Sequence, residues 1–196
     1  METSQIWTVP VLAIIIALAA VPVFLLARLW RRRARLTTEE RAELKGSPMT
    51  RLQKSALWGL LCSAGALAIA ATLLSIYGVE EYWNNDQFRL TVMAIFILGL
   101  AGSAAFLAAA VRAGSGTGLD ERDREVLAGA GTWQTAFIIV TMAIWLVSMG
   151  QQFHEAGAVP MVYLYLMFGS VILVNFIGQA VGILIGYVLG DRFGQA

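Results

Sequence analysis

The densest run of charged side chains is a cluster that we call the charged motif, and it comprises Asp120, Glu121, Arg122, Asp123, Arg124 and Glu125. Neighbouring carboxylates are groups that can perform general acid–base catalysis. That chemistry also needs a pocket together with a nucleophile or a metal ligand, and no sequence motif for these accompanies the cluster. The charged motif therefore does not predict an enzyme.

Two other roles for the charged motif remain. It precedes an apolar run, so Asp120 is placed to cap the following helix, where acidic side chains interact favourably with the helix dipole. Arg124 is spaced to form ion pairs with Asp120 and Glu121 on one helix face. This structural role is a complete account of the motif. The alternative makes the same charges a docking surface for a cytoplasmic partner or a second subunit.

A second group of titratable side chains is divided between two short loops and comprises Glu80, Glu81, Asp86, His154 and Glu155. A cation site is conceivable there, but the spacing matches no metal-binding motif. The single cysteine, Cys62, excludes an intrachain disulfide and a multi-cysteine metal site. The sequence therefore predicts no metal and no cofactor.

The elements that position these residues are apolar and long. The chain has 196 residues, of which 58% are hydrophobic and 14% charged, whereas an average soluble domain carries about 25% charged residues. A membrane-spanning helix needs about 20 apolar residues. Five runs meet that requirement, at residues 6–29, 55–78, 90–111, 132–150 and 159–189. The sequence thus predicts an all-α integral membrane bundle of five transmembrane helices.

The basic residues predict the orientation of the bundle. All of the 14 Lys and Arg residues except Arg89 fall on one side of the membrane when the five runs are drawn as spans. Because cytoplasmic loops are enriched in basic residues, the N-terminus is predicted outside and the C-terminus in the cytoplasm. Tryptophan side chains favour the headgroup level, and five lie near predicted helix ends: Trp7, Trp30, Trp58, Trp133 and Trp145.

The chain divides into two predicted parts. Residues 1–48 form an N-terminal transmembrane anchor with a basic cytoplasmic linker, and residues 49–196 form a four-helix transmembrane domain. Residues 17–19 could alternatively end a cleaved signal peptide. The anchor is favoured because the basic cluster follows the first apolar run, whereas it precedes the apolar run in a signal peptide.

At the charged motif, over residues 49–192, the chain resembles a group of uncharacterised bacterial multi-pass membrane proteins. In that group a D-E-R-D-R-like segment precedes a transmembrane helix, and Asp120, Glu121, Arg122, Asp123 and Arg124 carry the resemblance. The resemblance implies a location in the bacterial inner membrane. It implies no activity, because the group has no assigned reaction.

The fifth run carries two spaced sets of residues. Gly178, Gly182 and Gly186 recur every four residues, and small residues at this spacing let another helix approach closely. An intrachain partner is favoured over a second copy, with candidates in the third run: Gly99, Gly102, Ala105 and Ala109. Asn175 and Gln179 are an amide pair within the apolar helix, where they are expected to form ties between helices.

These features predict a protein that acts by contacting other membrane components and not by catalysing a reaction. The five runs hold no Asp, Glu, Lys, Arg or His near their centres, whereas proton-coupled and ion-conducting proteins usually hold such residues there. An accessory, assembly or regulatory membrane subunit is therefore the leading expectation, with the lipid bilayer and a membrane protein or a second copy as partners. A small transporter or channel for a neutral solute is the alternative. The net charge of +1 gives no reason to expect nucleic acid.

Overall fold

A computed structural model of the protein describes residues 50–117 and 121–193, with side chains described at 50–108 and 121–187. The predicted N-terminal anchor, the basic linker and Asp120 lie outside the described residues. Within this part of the chain every regular element is a helix. The helices are α1 (Arg51–Tyr77), α2 (Val79–Asn84), α3 (Asp86–Thr117), α4 (Glu121–Phe153) and α5 (Met161–Phe193).

Four of these helices, α1, α3, α4 and α5, are long and apolar enough to cross a membrane. The all-α prediction is confirmed for the described residues, and each of the last four apolar runs forms a helix. The structure extends α4 beyond its predicted span, since it begins at Glu121 rather than Thr132. Charged side chains at a helix start can remain in the headgroup region, so they do not end the helix there.

Short polar signals define the helix ends. Thr50 and Gln53 form a capping box, in which the Thr50 hydroxyl accepts a bond from the Gln53 N–H at 3.1 Å and the Gln53 Oε1 accepts one from the Thr50 N–H at 3.0 Å. Gly78 ends α1 with φ of +84°, a conformation that favours glycine. The chain then turns into α2, which the sequence analysis did not predict. The Asn85 side chain accepts bonds from the first N–H groups of α3.

The four long helices form two antiparallel pairs. Helix α1 packs against α3, α4 packs against α5, and the pairs meet where α1 packs against α5. Helices α3 and α5 contact each other much less. We call the end that carries residues 78–85 and 154–160 the loop end. The opposite end, which carries Arg51, Lys54, Arg122 and Arg124, is the basic end.

Candidate functional site

The three spaced glycines of α5 lie in the seam with α4. A Cβ built on Gly178, Gly182 or Gly186 would stand 3.0, 2.7 or 2.9 Å from an atom of α4, each distance being at or below the closest approach of real Cβ atoms. The backbones therefore come together because these residues are glycine. The expected partner in the third run was wrong. Gly99 and Gly102 lie closest to Ala66 and Cys62 of α1, and Gly99 also approaches the Leu173 side chain of α5.

The two amides of α5 have separate surroundings. The Gln134 side-chain N–H of α4 donates to the Asn175 Oδ1 at 2.5 Å, which makes Asn175 an interhelical tie. Gln179 lines a small cavity of about 20 Å³ beside Gly59 and Ser103. The hydroxyl of Ser103 donates to the Gly59 carbonyl of the neighbouring helix at 3.0 Å. The two amides thus do not form one polar path.

Trp145 was expected at the headgroup level, and the structure directs its side chain into the interior of the bundle. Its side chain is buried, and its indole N–H donates to the Ser170 hydroxyl of α5 at 2.8 Å. The physical reason is that helix α4 runs on to Phe153, so residue 145 lies two turns inside its end. By contrast, Trp58 and Trp133 are exposed.

Residues 121–125 of the charged motif form the first turn of α4, and two of their side chains contact α5. The Tyr187 hydroxyl donates to the Asp123 carboxylate. The Arg122 guanidinium lies 5.5 Å from the centre of the Tyr187 ring and donates to the Tyr187 carbonyl at 3.4 Å. Arg124 and Glu125 are exposed. Arg122 and Asp123 therefore fasten the start of α4 to α5.

Three of the five titratable residues expected together at the loop end, Asp86, His154 and Glu155, form short local pairs. Arg89 and Asp86 lie 2.5 Å apart, and His154 and Glu155 lie 3.6 Å apart. Among the residues that the structure describes, no three His, Cys, Asp or Glu side chains come together as a metal site would require.

A cleft of about 600 Å³ opens between α3 and α5 at the loop end. Its polar lining residues stand together near the loops and comprise Tyr82, Trp83, Arg89 and Tyr165. Its remaining walls are apolar and are formed mainly by Met93, Phe96, Ile97, Leu100, Phe168 and Ile172. Sequence reasoning missed this cleft because its residues are far apart in the chain. The only available signal was Arg89, the one basic residue expected on that side.

The described part of the chain thus offers two kinds of feature. The side chains of Asn175, Ser103 and Ser170 bond between helices, and the cleft joins one cationic group to apolar walls. Comparisons with protein-family models, with curated proteins and with solved structures found no match to this chain.

Proposed function

We propose that the protein is a non-enzymatic, multi-pass protein of the bacterial cytoplasmic membrane that acts through helix and loop contacts. Its role is that of an accessory, assembly or regulatory subunit. The observation that carries this proposal is the hydrogen bond from the Gln134 side-chain N–H to the Asn175 Oδ1, which ties α4 to α5. The centres of the four described spans hold no Asp, Glu, Lys, Arg or His for coupled transport or buried acid–base chemistry.

The proposed topology has five spans, with the N-terminus outside and the C-terminus in the cytoplasm. The contrast between the two ends of the bundle supports it. The basic end carries Arg51, Lys54, Arg122 and Arg124 among its described side chains, whereas Arg89 is the one Lys or Arg between residues 78 and 89 at the loop end. By the positive-inside rule the basic end faces the cytoplasm.

Transport of a neutral solute has less support. Such a path would be lined by Asn175, Gln179 and the glycine face of α5, but the Asn175 carbonyl oxygen already accepts a bond from Gln134. Gln179 lines a cavity of only about 20 Å³. A solute path would require these contacts to break.

The test is to extract the full chain from its native membrane into nanodiscs and to identify by mass spectrometry the proteins that travel with it. We expect a defined membrane protein at a fixed ratio to the chain. An unrelated multi-pass protein extracted in the same way is the control for nonspecific capture. In parallel, proteoliposomes are assayed for uptake of neutral solutes. Uptake that disappears in Asn175→Ala, without a copurifying protein, would contradict the accessory role.

A further inference from the structure

The cleft between α3 and α5 is one leaflet deep. From Arg89 to Leu100, α3 advances about 16 Å at roughly 1.5 Å per residue, and half of a bilayer's hydrocarbon core is about 15 Å. Further from the loop end the two helices meet, since a Cβ built on Gly99 would lie 3.2 Å from the Leu173 Cδ2. The cleft therefore ends near the middle of the bundle.

The mouth of the cleft is polar and held in place. Arg89 donates to Asp86 at 2.5 Å and to the Trp83 carbonyl at 3.4 Å, and these bonds engage two of the five N–H groups of a guanidinium. Tyr82 is buried beside it. Burial raises the pKa of the Tyr82 phenol, and the positive charge of Arg89 opposes this shift. The phenol is thus a neutral hydroxyl at physiological pH.

The walls of the cleft open sideways. Ile97 and Phe168 are 59% and 66% exposed although they line it. In a bilayer these side chains face hydrocarbon, so an occupant enters from the leaflet rather than from water. The cleft is cationic and aromatic at its mouth and apolar along its walls. A phospholipid has the matching arrangement, with its phosphate at one end and its acyl chains at the other.

We propose that this cleft is a binding site for one bilayer phospholipid, with its phosphate at Arg89 and an acyl chain between α3 and α5. A spanning helix is a poorer occupant, because it would need a groove across the whole hydrocarbon core whereas this one closes at Leu173. The inference requires only that the helices lie in a bilayer. It is therefore independent of the accessory role, and failure of one leaves the other intact.

The experiment uses the full chain in vesicles of phosphatidylethanolamine and phosphatidylglycerol that contain a trace of phospholipid with a diazirine in its acyl chain. After illumination, labelled peptides are mapped by mass spectrometry. We expect the label to concentrate on residues 93–100 and 165–173. Ile97→Trp fills the cleft and should abolish that labelling. Ile139→Trp is the matched control, because Ile139 is similarly exposed, at 61%, on α4 away from the cleft.

The headgroup contact is tested with Arg89→Gln. In mild detergent without added phospholipid, a photoreactive fatty alcohol, which lacks phosphate, should label the cleft of wild type and of Arg89→Gln equally. Added phospholipid should displace this label about tenfold less effectively from Arg89→Gln than from wild type, because a charge-assisted contact is lost. Arg124→Gln at the opposite end should behave as wild type does. The proposal is overturned if labelling is spread evenly over all exposed helix faces, as for boundary lipid. It is equally overturned if the cleft stays unlabelled and a cysteine at position 97 cross-links to residues 6–29 or to a second copy.

Discussion

Gly182 of α5 lies against the backbone of Ala130 in α4, so closely that a Cβ at Gly182 would stand 2.7 Å from the Ala130 Cα. The obstacle is backbone, which a rotamer change cannot relieve. Since association of helices in lipid depends on close packing, this contact is where the α4–α5 seam is most sensitive to added volume.

We expect Gly182→Ala to lower the free energy of unfolding by about 1–3 kcal/mol, the usual range for overpacking. The measurement is thermal or denaturant unfolding in mild detergent. Gly65→Ala is the matched control, because a Cβ there meets nothing within 4 Å. Gly169 is a poorer reference, since its Cβ would lie 3.3 Å from the Phe96 ring. Equal losses at Gly182 and Gly65 would show that the seam tolerates added volume.

The bond between Gln134 and Asn175 should show measurable coupling. Replacing either amide with leucine leaves the other unpaired between α4 and α5, so each single variant should lose about 0.6–2 kcal/mol. The double variant should lose less than the sum of the two. A double-mutant cycle in detergent measures this coupling. Strictly additive losses would mean that the amides find other partners.

The Tyr187 hydroxyl should stabilise the basic end through Asp123. A hydrogen bond to a charged group contributes about 1.5–3 kcal/mol, so we expect Tyr187→Phe to destabilise the protein by this order. In an Asp123→Asn background the same substitution should have a smaller effect. Arg124→Gln is the surface control and should change stability little. If Arg124→Gln released a copurifying protein from a stable chain, the docking interpretation of the charged motif would replace the structural one.

The topology makes a labelling prediction. In a Cys62→Ala background, single cysteines at Asn84 and Gln151 should react with an impermeant thiol reagent on intact spheroplasts, because both positions are exposed at the loop end and that end is proposed to face outside. Cysteines at Ser47 and Ser115 are the matched internal positions and should react only after permeabilisation. The reverse pattern would invert the proposed orientation.

Much of the fold could be predicted from composition and periodicity. Long apolar runs must form helices in a bilayer, since every backbone group needs a partner, and the last four runs are helices. Gly178, Gly182 and Gly186 were predicted as a packing surface, and they do line an interface. The helix that packs against them could not be predicted. The spacing of small residues indicates that another helix can approach closely, but it does not indicate which helix does so.

The candidate site was less accessible to sequence reasoning. The cleft brings together Tyr82, Arg89 and Tyr165 from three helices, and the packing of α2, α3 and α5 sets their distances. Trp145 illustrates the same limit. An indole near the end of an apolar run favours the headgroup level, but in the folded chain the Ser170 hydroxyl gives its N–H a buried partner. Tertiary contacts therefore determine the surroundings of Trp145, which the local sequence pattern could not predict.

The arrangement of the four long helices as two antiparallel pairs bears on how the chain is made. Each pair consists of helices that are consecutive among the described spans, so α1 and α3 have their full mutual interface before α4 is synthesised. The contact between α1 and α5 joins the earliest and latest of these helices. We therefore expect sequential assembly, in which the α1–α3 hairpin forms first and the bundle closes after α5 has been synthesised. During that interval the face of α1 that will meet α5 is available to chaperones or to misassembly.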